Sequence, residues 1–170
     1  MATVYLSLGS NIEREKHLSA GLDALVKAFG DLRISQVYES ESVGFAGDDF
    51  YNLVAAIDTD LSVGALALHL RQIEDENGRQ RSGPKFSART LDIDILTYDE
   101  LTGEVDGIQL PRDEILKNAF VLLPLSELAP DTLHPVVGKT YQQLWEAYDQ
   151  SSQKLWPVEF DWPSGSSTQI

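Results

Sequence analysis

An α+β fold, with helices layered on an antiparallel sheet, is what this sequence predicts. Three observations lead there. Four apolar segments have strand length; two stretches of helical periodicity separate the first from the second and the third from the fourth; and the fourth strand alternates strictly. The resulting order, β-α-β-β-α-β, is the signature of a split βαβ, ferredoxin-like core.

Thr3 to Leu8 reads as the first strand, and Gly9-Ser10-Asn11 supplies turn and capping chemistry for the helix that follows. Leu18, Leu22, Leu25, Val26 and Phe29 fall at i, i+4, i+7, i+8 and i+11, so one face of that helix is apolar. Gly30 ends it as a left-handed cap. Leu32 to Tyr38 reads as the second strand, Glu39 to Asp49 as a polar loop, and Phe50 to Ile57 as the third strand. Ser62 opens a second helix with Leu66, Leu70 and Ile73 inward and Gly78 just past its end. Thr90 to Tyr98 is the fourth strand: Leu91, Ile93 and Ile95 face one way, Asp92 and Asp94 the other. Asp99 to Gly107 reads as a turn or short hairpin, and Asn118 to Leu128 as a short helix despite Pro124. Thr140 with Gln143 makes a capping box for a last helix bearing Leu144, Trp145 and Tyr148. Residues 1–163 form one expected domain, stapled near its end by Trp156, Phe160 and Trp162. Residues 164–170 form an expected mobile tail.

A chain of 170 residues, 42% hydrophobic and 24% charged, can bury a sizeable core without crosslinks. Its formal charge of −14 opposes a nucleic-acid backbone over most of the surface. No apolar run approaches the roughly 20 residues of a membrane helix, and the first residues lack the basic region of a signal peptide. The expected location is therefore the cytoplasm. There is no cysteine, which excludes disulfides, thiolate nucleophiles and cysteine-based zinc sites. His17, His69 and His134 are spaced in no metal-binding pattern.

One segment breaks the acidic composition. From Asn77 to Thr90 the chain carries Arg79, Arg81, Lys85 and Arg89 and no acid, although it has 27 Asp+Glu against 13 Lys+Arg overall. Immediately beyond, Asp92 and Asp94 project from one face of a strand with origins about 7 Å apart. Cations for phosphate oxygens thus adjoin oxygen ligands for a hard metal, the combination needed for a metal-bound polyphosphate. Alone, the Asp-x-Asp pair equally describes a solvated face on an edge strand, and the cations ordinary surface charges. Arg89, nearest the carboxylates, has the fork for a bidentate phosphate contact. Phe86, a large ring on a polar loop, either covers a ligand or docks on the core. Asn52, in an otherwise apolar strand, is satisfied by neighbouring backbone or reads the edge of a heterocycle.

These residues give the sequence a resemblance to the 6-hydroxymethyl-7,8-dihydropterin pyrophosphokinase family of folate biosynthesis. It runs from Val4-Tyr5-Leu6-Ser7-Leu8-Gly9-Ser10-Asn11 through Tyr51-Asn52, Ile73-Glu74 and Gly78-Arg79-Gln80-Arg81. It continues in Ala88-Arg89-Thr90-Leu91-Asp92-Ile93-Asp94-Ile95, Ala119-Phe120-Val121-Leu122-Leu123-Pro124-Leu125 and Leu128-Ala129-Pro130. The resemblance implies a ferredoxin-like fold and transfer of pyrophosphate from ATP to a reduced hydroxymethylpterin, with release of AMP. It implies Asp92 and Asp94 as ligands of two magnesium ions, Asp92 also touching substrate. Arg79, Arg81, Arg89, Ile95 and Arg112 fall on the nucleotide side, with Arg81 and Arg89 serving catalysis. Val43, Phe50, Asn52, Phe86 and Phe120 fall on the pterin side. Several positions depart from the family pattern: Glu41-Ser42 replaces a proline-rich turn, Phe86 a tryptophan, Ser87-Ala88 a Gly-Pro pair, Arg112 a histidine and Asn118 an arginine. Two other readings use the same residues: a non-catalytic or divergent pterin- or nucleotide-binding paralogue, and a metal-dependent phosphohydrolase.

Overall fold

A computed structural model describes residues 1–41, 49–78, 90–162 and 168–169. Its core follows the predicted order. Strand β1 (Ala2–Ser10) leads into helix α1 (Arg14–Phe29), followed by strands β2 (Arg33–Ile34), β3 (Val37–Ser40) and β4 (Phe50–Thr59), helix α2 (Val63–Glu76) and strand β5 (Asp92–Tyr98). β5 pairs with β1, β1 with β4, and β4 with β2 and β3, every pair antiparallel. Fourth strand beside first, first beside third and third beside second is the ferredoxin-like order.

The second strand is where expectation and structure differ. It is split at Ser35, whose N–H donates to the Val54 carbonyl and whose Oγ accepts from the Val54 N–H, each at 2.9 Å. The hydroxyl stands in for a ladder carbonyl, and the register shifts by one residue between Ile34↔Ala55 and Tyr38↔Asn52. A shift of this kind re-aims the side chains beyond it, and Tyr38 thereby lands on the same face as Asn52. The start of α1 also differs. Gly9 and Ser10 remain in β1, Ser10 Oγ donates to the Ile12 carbonyl, and the cap position is Glu13 at φ 42° with no side-chain cap bond. Gly30 takes a positive φ of 82°, but its ψ of −140° lies outside the left-handed helical well.

The sheet has helices on both faces. On one, Val4, Leu6, Leu8, Leu53, Ile57, Ile93 and Ile95 pack with Leu18, Leu22 and Leu25 of α1 and Leu66, Leu70 and Ile73 of α2. Each fully buried leucine contributes about 1.5–3 kcal/mol. On the other, Tyr5, Val54, Ala56 and Leu96 meet helices α3 (Glu114–Lys117), α4 (Ala119–Leu128) and α5 (Tyr141–Ala147). Between β5 and α3 lies the hairpin of β6 (Gly103–Val105) and β7 (Ile108–Leu110). α4 forms despite Pro124, and the capping box of Thr140 and Gln143 opens α5 as read from sequence. β8 (Leu155–Val158) extends the sheet beside β3, Phe160 is buried, Trp162 Nε1 donates to Asp23 at 2.7 Å, and β9 (Thr168–Gln169) runs parallel to β2. No helix among the described residues is long and apolar enough to cross a membrane.

Candidate active site

Register decides which side chains meet. In the ladder Asn52 stands opposite Gly9, and Gly9 opposite Asp92; one step along, Val54 stands opposite Ser7, and Ser7 opposite Asp94. Directly opposed residues share a face, so Asn52, Gly9, Asp92 and Asp94 all lie on the α4 side of the sheet, near one end. Two strand spacings separate Asn52 from Asp92, about 10 Å.

Gly9 keeps that space open. A Cβ there would stand 3.0 Å from Asn52 Oδ1 and 3.7 Å from the Phe50 ring, so both residues lean over a position that has no side chain. Asn52 is buried and its Nδ2 donates to Ser40 Oγ at 2.9 Å. Its oxygen is therefore the atom turned over Gly9, a hydrogen-bond acceptor at the floor of a slot beside an aromatic ring. Phe120, second residue of α4, is partly buried against the cluster on this face.

On the far side of the slot, period-two alternation places Asp92 and Asp94 together as read from sequence. Burial and the neighbouring Asp92 carboxylate push the Asp94 carboxyl up to about 7, while the Arg112 guanidinium pulls the other way. That guanidinium contacts Asp94 Oδ1 through Nη2 at 3.0 Å. The family resemblance puts Arg112 on the nucleotide side; its pairing with Asp94 has no sequence signal, because the β6–β7 hairpin intervenes. The strand itself is held from outside: Glu74 of α2, buried, accepts the Ile93 N–H at 2.8 Å. This bond fixes the backbone between the two aspartates.

Ile95 does not join them. Its side chain is buried with α1 and α2 on the opposite face, so only its backbone remains for a ligand. Val43, Arg79, Arg81, Lys85, Phe86 and Arg89 lie outside the described residues. The histidines are engaged elsewhere: His17 Nδ1 with the Ile12 carbonyl, His134 Nδ1 with the Val136 and Val137 N–H groups, and His69 edge-on to Phe29. A shallow groove of about 350 Å³ lies on the other side of the β4 start, around Arg14 and Tyr51. There the Arg14 guanidinium stacks 4.0 Å above the Tyr51 ring and donates to Glu39 at 3.2 Å and to the Asp49 carbonyl at 3.0 Å. Arg14 thus braces, from behind, the strand that carries Phe50 and Asn52.

Residues 5–130 match the family model described as 7,8-dihydro-6-hydroxymethylpterin-pyrophosphokinase. The chain belongs to this family. A pyrophosphokinase of Aquifex aeolicus named for 2-amino-4-hydroxy-6-hydroxymethyldihydropteridine is 34% identical over 84% of this chain and 90% of its own length. One of Pseudomonas aeruginosa with the same name is 38% identical over 78% of this chain and 83% of its own. The folic acid synthesis protein FOL1 of Dictyostelium discoideum is 34% identical over 83% of this chain, which spans only 22% of that longer protein. A solved HPPK-DHPS structure of Plasmodium falciparum superposes with a TM-score of 0.67 over 86% of this chain and 42% of that one. At 15% identity that likeness speaks to the fold alone, and it agrees with the ferredoxin-like strand order.

Proposed function

We propose that this protein transfers the pyrophosphoryl group of ATP to the hydroxymethyl group of 6-hydroxymethyl-7,8-dihydropterin and releases AMP, as an enzyme of folate biosynthesis. The observation that carries this reading is the juxtaposition across Gly9. An acceptor amide and an aromatic ring stand on one side of the slot, and paired carboxylates on the other. The first suits a flat, nitrogen-rich heterocycle; the second suits a cation carried by a polyphosphate.

The donor set fits magnesium. Two carboxylates share a face, the buried member is held back from ionising chiefly by desolvation and by its neighbour's charge, and magnesium typically takes one or two carboxylates beside phosphate oxygens and water. Asp92 and Asp94 would hold the ions, two by the family resemblance, and bound magnesium would neutralise charge on the phosphoryl oxygens. The chain's own residues do the rest. Asn52 accepts a ring N–H of the pterin, Phe50 and Phe120 sandwich or edge the ring, and the substrate is thereby oriented with its hydroxyl toward the carboxylates. The hydroxyl oxygen attacks the β-phosphorus and gives up its proton to water, the bond from that phosphorus to the α–β bridging oxygen breaks, and AMP leaves with the bridging oxygen. Arg79, Arg81 and Arg89, carried over from the motif, stabilise charge developing on the transferring group. Val43 and Phe86, likewise carried over, border the pterin. Residues 1–163 act as one catalytic unit in this reading.

The test is direct. Purified protein incubated with ATP, magnesium and hydroxymethyldihydropterin should form AMP and the pterin diphosphate in equal amounts. AMP absent under these conditions rejects the transfer; phosphate or pyrophosphate released without the pterin identifies a hydrolase instead.

A further inference from the structure

Arg112 stands where the family pattern has a histidine, and its surroundings assign it a part in the order of binding. Its backbone is fixed: the Arg112 N–H donates to the Leu96 carbonyl at 2.8 Å, tying the residue to the outer edge of β5. Its side chain is about one-third exposed and reaches Asp94 through a single Nη2 contact at 3.0 Å. The Nε is buried and has no hydrogen-bond partner among the described residues. A guanidinium matched to one carboxylate uses two parallel donors; among the described residues this one places a single donor on Asp94.

We propose that Arg112 is a resident counter-ion of Asp94 that yields its place when a nucleotide arrives with a divalent cation, its guanidinium passing from the carboxylate to a phosphate oxygen. The proposal rests on reading Asp92 and Asp94 as the cation-binding pair. Its logic is electrostatic. Two carboxylates two residues apart on a strand repel, and Arg112 cancels one of the two charges, which supports the unliganded fold. The same positive charge opposes entry of a bare divalent ion. A nucleotide changes the balance, because its phosphates offer the guanidinium a replacement anion with more acceptor oxygens while the cation takes over Asp94. Cation and nucleotide therefore bind as a pair, each making room for the other.

Removing the charge separates this role from ordinary support. In Arg112→Met, manganese alone, followed through the loss of its free-ion paramagnetic resonance signal at pH 7.5, should bind about tenfold more tightly than in the unaltered protein, as expected for deleting one like charge beside a partly solvated site. Magnesium-ATP, followed by calorimetry, should bind several-fold more weakly. Arg112→Lys keeps the charge and loses the fork, so it should leave manganese affinity near its original value while still weakening magnesium-ATP. Gain in one titration and loss in the other is an outcome that simple loss of structure does not produce. Manganese binding equal to or weaker than that of the unaltered protein in Arg112→Met, or undiminished magnesium-ATP binding, would overturn the proposal. Asp94→Asn provides the separate control. If it binds magnesium-ATP as well as the unaltered protein does, the cation-binding reading itself is at fault.

Discussion

Replacing Asp94 by asparagine tests the electrostatics of the carboxylate pair while keeping its shape. The folded protein pushes this carboxyl from the ordinary 3.8 up to about 7, by burial and by the adjacent Asp92. Below about pH 4 the group is protonated in folded and unfolded chains alike and costs nothing. As pH rises toward 7 the unfolded chain gives up the proton while the folded one retains it, so stability is progressively lost; above 7 the loss is complete. Its ceiling is about 4 kcal/mol. The side chain is a quarter exposed, so water screens much of this, and about 1.5–2 kcal/mol is the realistic share. Asparagine cannot ionise and escapes the penalty, but it weakens the contact with Arg112 by about 0.5 kcal/mol. The net gain of about 1–1.5 kcal/mol at pH 8 corresponds to roughly 2–6 °C in Tm for a domain of this size. Circular dichroism melts of both proteins in the presence of a chelator, from pH 5 to 8, should show the curves together at pH 5 and the asparagine variant ahead at pH 8. Pyrophosphoryl transfer by the same variant should be abolished. A Tm difference independent of pH, or an asparagine variant less stable at pH 8, would refute the argument.

Three further substitutions probe the frame around the site. Gly9→Ala places a methyl group 3.0 Å from Asn52 Oδ1 and should raise the KM for the pterin at least tenfold while moving the KM for ATP little; steady-state kinetics with each substrate varied checks this. Glu74→Ala strips the acceptor from the Ile93 N–H and should cost about 1–3 kcal/mol, together with a fall in kcat, whereas Glu74→Gln keeps an acceptor and should recover most of both. Arg14→Leu removes the brace behind Tyr51, so amide hydrogen exchange at Phe50 to Asn52 should quicken and the pterin KM rise. Unchanged exchange would show that β4 needs no such support.

Much of this architecture is legible in the sequence because it depends on short periods. The apolar spacing of α1, the caps at Ser62 and Thr140, and the placement of Asp92 and Asp94 on one face are local properties, and the structure reproduces them. What escapes is what register decides. Gly9 reads as a turn glycine until β1 is laid beside β4, when its missing side chain becomes the floor of the slot. The break at Ser35 depends on a serine hydroxyl bonding to a strand nineteen residues away, and no periodicity announces it. Ile95 follows the aspartates in the motif, yet strand alternation sends its side chain to the opposite core. Arg112 meets Asp94 across eighteen residues, because a hairpin turns the chain back along β5.

That turning back has another result. Among the described residues β5 lies at the border of the sheet, paired with β1 alone, and such a border is normally a template for another chain. Here Glu74 occupies the Ile93 N–H and the Arg112 backbone occupies the Leu96 carbonyl, so two positions that a foreign strand would need are already taken. The groups that steady the carboxylates thus also cover part of the sheet's border. Loosening either one should favour aggregation as well as slow the reaction.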